Sequence, residues 1–341
     1  MALKKTGRFG LGAFEHLRWT LCAVLLTTAQ ADALNILITN DDGVESSTIH
    51  ALFQVLKADG HHVIISSETL DNSGRGGAVD FFRPIGPLKQ DSRAGAVKAG
   101  APGIGNLPGF DDVYYIDGTP VAATVYGLDI AAAKTWGRAP DLIISGPNYG
   151  NNTGLINNSS GTVNAALIGI NRGVASIAVS VADPSRYKSY DKLAPADPEY
   201  EIAHVMSGIV KALEGKRRTA KAPLLPAGTA LNVNFPKFAP GTAAQLRIVL
   251  GQEGLASQAM PVFSDDLSTD QTAIKFGLGL SAGPGVAIVP ATMDTDPKSE
   301  QNIINGGAIA ISVLKGNHAA DEPHTKAVRK LLQSLLSRQG A

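Results

Sequence analysis

Asp41 and Asp42 stand side by side at the end of the apolar run Leu34-Asn35-Ile36-Leu37-Ile38-Thr39-Asn40, and Gly43 follows them. Neighbouring carboxylates repel, and a hard divalent cation such as magnesium or manganese relieves that repulsion. Three further loops carry side-chain oxygens: Asn72-Ser73-Gly74, the run from Gly146 through Asn148, Tyr149 and Asn152 to Gly154, and Asn158-Ser159-Ser160-Gly161-Thr162. Carboxylate, amide and hydroxyl oxygens suit an octahedral cation that keeps several waters. Zinc would call for His or Cys, and neither is near in sequence. The loop ending at Thr162 opens a helix, whose first amides and hydroxyls can bind an anion such as phosphate. A cation beside such a helix terminus is equipped for phosphate ester hydrolysis. Taken singly, each loop also reads as a turn or a helix cap. Their joint placement favours the chemistry.

That placement depends on the elements between the loops. Leu34 to Thr39 reads as a strand, Ser46 to Ala58 as a helix with Ile49, Leu52, Phe53, Val55 and Leu56 at helical spacing, and His62 to Ser66 as a second strand. The pattern repeats with a strand Val113 to Ile116, a helix Pro120 to Ala133, a strand Asp141 to Ser145, a helix Thr162 to Ile170 and a strand Ser176 to Val181. This alternation predicts an α/β fold with a doubly wound, mainly parallel sheet, Rossmann-like and three-layered, in which the chemical loops converge at the strands' carboxyl ends. Residues 32–225 are assigned to this core. Residues 226–320 read as a smaller, irregular β-rich remainder with short strands at Ala230 to Phe235, Leu246 to Leu250 and Gly285 to Val289. In residues 321–341, Ala327, Val328, Leu331, Leu332, Leu335 and Leu336 form one apolar helical stripe, suited to its own domain or to a second subunit. The stretch from Arg83 to Asp112 has no clear period and reads as a surface insertion or mobile hairpin without identifiable chemistry.

Residues 1–31 have the parts of a secretory signal peptide. Lys4, Lys5, Arg8 and Arg18 precede the apolar stretch Trp19 to Ala29, and Ala29-Gln30-Ala31 and Ala31-Asp32-Ala33 offer small-residue cleavage sites. The apolar stretch falls short of the roughly 20 residues of a membrane span. Cys22, the single cysteine, lies inside it, so the mature chain would have no disulfide, thiolate ligand or cysteine nucleophile. The 341-residue chain has 30 basic and 30 acidic residues, which argues against a nucleic-acid surface, and loss of the leader would leave it mildly acidic. Export is expected, to a periplasm ahead of the medium, because the sequons at Asn157 and Asn158 fall inside the proposed site, where glycans would block it.

These motifs resemble the SurE family, the survival proteins that are metal-dependent nucleotidases. The resemblance rests on Asn40-Asp41-Asp42-Gly43-Val44, Asn72-Ser73-Gly74, Asp117-Gly118-Thr119-Pro120, Ser145-Gly146-Pro147-Asn148-Tyr149-Gly150 with Asn152 and Gly154, and Ser160-Gly161-Thr162-Val163. Asn232-Val233-Asn234-Phe235-Pro236, Thr269-Asp270 with Ala273, and Gly285 to Pro290 extend it. It implies that Asp41, Asp42, Ser73 and Asn148 bind one divalent cation per subunit, magnesium or manganese, with Asp41, Asp42 and Asn148 serving catalysis. Gly43, Asn152, Ser160, Gly161 and Thr162 would hold phosphate. The implied activity is hydrolysis of nucleoside 5′- and 3′-monophosphates by a homodimer or homotetramer. Pro147 and Ser46-Ser47-Thr48-Ile49 depart from the cytoplasmic pattern beside the pocket, which keeps a broad secreted acid phosphatase open as an alternative. A non-catalytic nucleotide- or phosphate-binding protein is the alternative of another class.

Overall fold

The computed structural model describes residues 33–182, 187–217, 219, 222–254, 260–275, 279–289, 294–318 and 320–333. The expected leader, and Leu335 and Leu336 of the terminal stripe, lie outside the described residues. Strand β1 (Asn35–Thr39) is buried along its whole length, as an Ile-Leu-Ile run in the middle of a parallel sheet must be. After it come α1 (Ser47–Ala58), β2 (His62–Glu68), β3 (Ile104–Asn106) and β4 (Val113–Ile116). Helix α2 (Pro120–Tyr126) has Thr119 as its cap and proline at its start, and continues through a π turn (Gly127–Ala131) into α3 (Ala132–Trp136). Then follow β5 (Leu142–Tyr149), α4 (Gly161–Asn171), β6 (Ala175–Val181), α5 (Pro198–Glu214) and β7 (Thr229–Phe235).

Strands β4, β2, β1, β5, β6 and β7 lie in that order and are mutually parallel. The chain winds outward from β1 through β2 to β4, then crosses back to place β5 on the other side of β1. The strand order therefore reverses between β1 and β5, and such a switch opens a crevice at the carboxyl ends of the strands. One face of the sheet is covered by α1 and α5, which pack on each other and bury Ile49, Leu52, Leu56, Ile202, Met206 and Val210 over Ile36 and Ile38. On the opposite face, α2, the π turn and α3 bury Ala123, Ala131 and Ala132 over Leu37, Ile64 and Ile143, and α4 packs beside α2.

Beyond residue 226, β8 (Ile248–Leu250), β9 (Met260–Ser264), α6 (Gln271–Lys275), β10 (Gly285–Val289), α7 (Glu300–Asn305), β11 (Ile309–Lys315) and α8 (Glu322–Leu331) complete the order. Three strands from this part of the chain extend the main sheet: β7 is followed by antiparallel β11, and β8 pairs parallel to β11. Among the described residues, only β9 and β10 form a separate two-stranded ladder. From Asp32 onward the chain forms one compact unit. Helix α8 is capped by Asp321, whose carboxylate accepts from His324 N, and its residues are exposed. No helix among the described residues is long and apolar enough to cross a membrane.

The Arg83 to Asp112 stretch departs from the expectation of a loose surface insertion. Leu88, Val97 and Leu107 are buried in the main core, and β3 adds an antiparallel edge to β4. The stretch has no helical or strand period because its few apolar side chains act as separate anchors for irregular backbone.

Candidate active site

Asp41 and Asp42 follow β1, and Asn148 lies near the end of β5, so the switch point between these strands gathers them. Both carboxyl groups are withdrawn from water, at 2% exposure each. Asp41 Oδ1 accepts the Thr162 hydroxyl at 2.5 Å. Asp42 Oδ2 accepts Tyr149 N–H at 3.0 Å. Burial pushes the Asp41 carboxyl up to about 6, although hydroxyl and main-chain donors of Thr162 pull it down. Asp42 is held well above the usual carboxylate range, first by burial and then by the charge of Asp41. Such a pair carries an unrelieved cost in its ionised form, which a nearby cation removes.

The start of α4 lies directly against Asp41. Ser160 caps the helix by accepting from Val163 N at 3.0 Å, which leaves its own hydroxyl proton free to donate elsewhere. Gly161 permits the approach: a Cβ there would stand 2.7 Å from Asp41 Cβ and 2.9 Å from Pro120 Cγ. The helix dipole and first-turn amides thus end at the carboxylate pair, where an anion bridged by a cation would be well placed.

Asn148 supplies the most telling atom. Its Nδ2 donates to Gly150 O at 2.7 Å, which fixes the amide, while its Oδ1 is buried with no hydrogen-bond partner. A buried amide oxygen without a donor is costly unless a ligand completes it. No group of three or more His, Cys, Asp and Glu among the described residues is arranged to hold a metal. A cation here would therefore take two carboxylates together with neutral oxygen, a donor set that fits magnesium or manganese and not zinc.

Other expected residues are placed differently. Ser73 is exposed, and its loop reaches the pair through Asn72 N, which donates to Asp41 O at 2.9 Å. Among the described residues, no hydrogen bond joins the Ser73 hydroxyl to either carboxylate. The Gly43 amide, expected at phosphate, is engaged by Glu68 Oε1 at 2.6 Å. Asn152, also expected there, is committed to the protein: its amide donates to Ser180 Oγ at 2.8 Å and to Thr162 Oγ1 at 3.4 Å, so it supports Thr162 from behind.

The sequence reading misses Glu68 and Arg93. Glu68 ends β2 fully buried, with its carboxyl raised well above the usual range by burial. An acidic residue closing a buried parallel strand is the same signal that picks out Asp41, so Glu68 was findable. Arg93 comes from the irregular insertion, where nothing local marks it. Its Nη1 donates to Asp42 O at 2.7 Å, and its Nη2 pairs with Asp71 at 2.9 Å. Beside the pair, at the ends of β2 and β4, is an open polar cleft of about 240 Å³ lined by Thr69, Asn72, Arg75, Asp80, Asp117 and Thr119, among others.

The arrangement can be set against known proteins. A family model described as "Survival protein SurE" matches residues 36–254. The chain belongs to the SurE family. The matched SurE stretch runs from β1 through β8 and contains the carboxylate pair, Asn148 and the start of α4. An acid phosphatase of Yarrowia lipolytica is 34% identical over 204 residues, which are 59% of this chain and 56% of that protein. The 5′-nucleotidase SurE of Lawsonia intracellularis is 33% identical over 205 residues, 60% of this chain and 67% of that protein. The alignment thus spans little more than half of the yeast relative. The crystal structure of the SurE protein from Aquifex aeolicus covers 87% of this chain and 99% of its own at a TM-score of 0.60 and 23% identity, which shows a common fold.

Proposed function

We propose that this SurE-family chain is a divalent-metal-dependent phosphomonoesterase that hydrolyses nucleoside 5′- and 3′-monophosphates to nucleoside and phosphate. The observation that carries the reading is the unpartnered buried Asn148 Oδ1 beside two buried carboxylates at the amino end of α4. Asp41, Asp42 and Asn148 would hold a magnesium or manganese ion, with Ser73 as a fourth ligand if its loop turns inward. When bound, the ion supplies charge neutralisation at the phosphoryl oxygens and a lowered pKa for coordinated water. The Gly161 amide and the Ser160 hydroxyl at the start of α4 bind the phosphate oxygens and stabilise charge that develops on them, while Thr162, whose hydroxyl donates to Asp41, holds that carboxylate in place. Asp41, with a hydrogen bond from Thr162 fixing one oxygen, serves either to deprotonate the attacking water or to attack phosphorus itself. The polar cleft at the ends of β2 and β4 accommodates the leaving nucleoside.

A second reading, a broad secreted acid phosphatase, is favoured by the likeness to the yeast protein of that name. Export of the mature chain and assembly into a homodimer or homotetramer belong to the same proposal. Phosphate release from 5′- and 3′-nucleotides, p-nitrophenyl phosphate and polyphosphate, with EDTA and then with added manganese, tests it. Metal-restored release from nucleotides supports the nucleotidase, and equal rates on all esters support the broad phosphatase. A folded protein that binds nucleotides but releases no phosphate would be a binding protein.

A further inference from the structure

The peptide unit joining Asp42 to Gly43 is gripped at both of its polar groups, by a guanidinium on one side and a carboxyl group on the other. Its carbonyl accepts from Arg93 Nη1 at 2.7 Å, and its N–H donates to Glu68 Oε1 at 2.6 Å. Gly43 has φ of +96°, which glycine adopts readily, and the conformational freedom of a glycine leaves the orientation of this peptide plane to its hydrogen-bond partners. The two grips are themselves linked. Arg93 N donates to Thr69 O at 2.9 Å, and Glu68 O accepts from Val44 N at 2.7 Å, so the path from Glu68 through Gly43, Asp42, Arg93 and Thr69 closes on itself.

Each gripping side chain is also fixed from outside. The Arg93 guanidinium lies 3.7 Å over the Tyr187 ring and pairs with Asp71, and the turn that carries it is pinned by Glu45, which accepts from Ala94 N and Ala96 N at 2.7 and 2.6 Å. Glu68 Oε2 accepts the Ser67 hydroxyl at 3.1 Å. An open loop with no role at the site would need neither contact. The Glu68 Oε1 acceptor is spent on the Gly43 amide and the Arg93 Nη1 donor on the Asp42 carbonyl.

We infer that Glu68 and Arg93 are positioning residues: they clamp the Asp42–Gly43 peptide, and thereby set the direction in which the Asp41 and Asp42 carboxylates face the reacting phosphate. This rests on the proposed phosphatase reading for its consequence in catalysis, but not for the clamp itself. The 83–112 insertion is then part of the catalytic framework, through a single arginine.

Glu68→Ala, Glu68→Gln, Arg93→Ala and Arg93→Lys are compared with the unmodified protein in three readouts: amide exchange at Gly43 and Val44, manganese affinity by calorimetry, and kcat separately from KM. The clamp predicts faster exchange in both alanine variants, and losses of about 10- to 100-fold in manganese affinity and kcat with little change in KM. Glu68→Gln keeps an acceptor for the Gly43 amide and recovers most of what Glu68→Ala loses. Folded alanine variants with unmodified exchange, affinity and kcat would overturn the inference. If Glu68→Ala does not fold, Arg93→Ala, at a partly exposed position, decides it. If the unmodified protein turns over no ester, the phosphatase reading fails and the clamp is judged on exchange alone: faster in the alanine variants if it exists, unchanged if it does not.

Discussion

Asp41 concentrates the residue-scale chemistry. Its carboxyl is buried, shares its surroundings with Asp42 and takes a hydrogen bond from Thr162. Replacing Asp41 with Asn removes one charge and one oxygen ligand while keeping the shape, so kcat should fall on the order of 10³-fold or more, with the folded structure kept. A fall of less than tenfold would remove Asp41 from the essential set. The same residue predicts a pH effect on the metal-free protein. In the unfolded chain its carboxyl loses its proton near 3.8, and in the folded chain at about 6. Between these values the folded state holds more protons, so stability falls as pH rises through the window. Denaturant melts from pH 4 to pH 7 should show that slope, shallower in Asp41→Asn and shallower again with manganese present. A slope unchanged by the substitution would contradict the assignment. The sequence made Asp41, Asp42, Asn148 and Thr162 legible because each closes or opens an element with a polar group at a place apolar packing does not want one. Arg93 stayed hidden because its role depends on where a long irregular segment happens to dock.

At the scale of elements, the contact between β1 and α4 decides whether there is a site at all. Helix α4 reaches Asp41 only because Gly161 has no side chain, and Gly161→Ala would drive a methyl to 2.7 Å from Asp41 Cβ. The helix must shift, so the variant should remain folded with a stability loss of about 1–3 kcal/mol and lose manganese affinity and turnover together. Calorimetry alongside a thermal melt separates the two effects. Unaltered affinity would show that the α4 terminus is not part of the site. The apolar runs of β1 and β5 and the spacing of α1 and α4 were readable, since buried parallel strands and amphipathic helices write their period into the chain. Helix α5 has no counterpart among the elements expected from sequence, although Asp197-Pro198 is a helix start and Ile202, Met206, Ile209 and Val210 follow at helical spacing.

In the whole molecule, the part beyond residue 226 braces the loop that runs from Asn152 to Gly154. Asn232 and Asn234 on β7 donate to Asn152 O at 2.9 and 2.8 Å, and Glu300 at the start of α7 accepts from Asn232 Nδ2 at 2.7 Å and from Gly154 N at 3.0 Å. Ser312 on β11 also donates to Glu300. Glu300→Ala would strand these donors in a buried place, with a predicted loss of about 3 kcal/mol in urea unfolding and weaker substrate binding. A neutral effect on both would mean the brace is incidental. This coupling was invisible in sequence, where short strands after residue 226 read as a smaller irregular region. Strand order is settled by pairing across long separations, which local pattern does not record.

Metal dependence is decided by phosphate release from adenosine 5′-monophosphate after EDTA treatment and after manganese is restored, in the unmodified chain and in Asn148→Ala. A cation held by Asp41, Asp42 and Asn148 requires no release without metal, recovery with manganese in the unmodified chain, and a loss of manganese affinity in Asn148→Ala that follows from removing the unpartnered oxygen. Full release in EDTA, or unchanged manganese binding by Asn148→Ala, would contradict it.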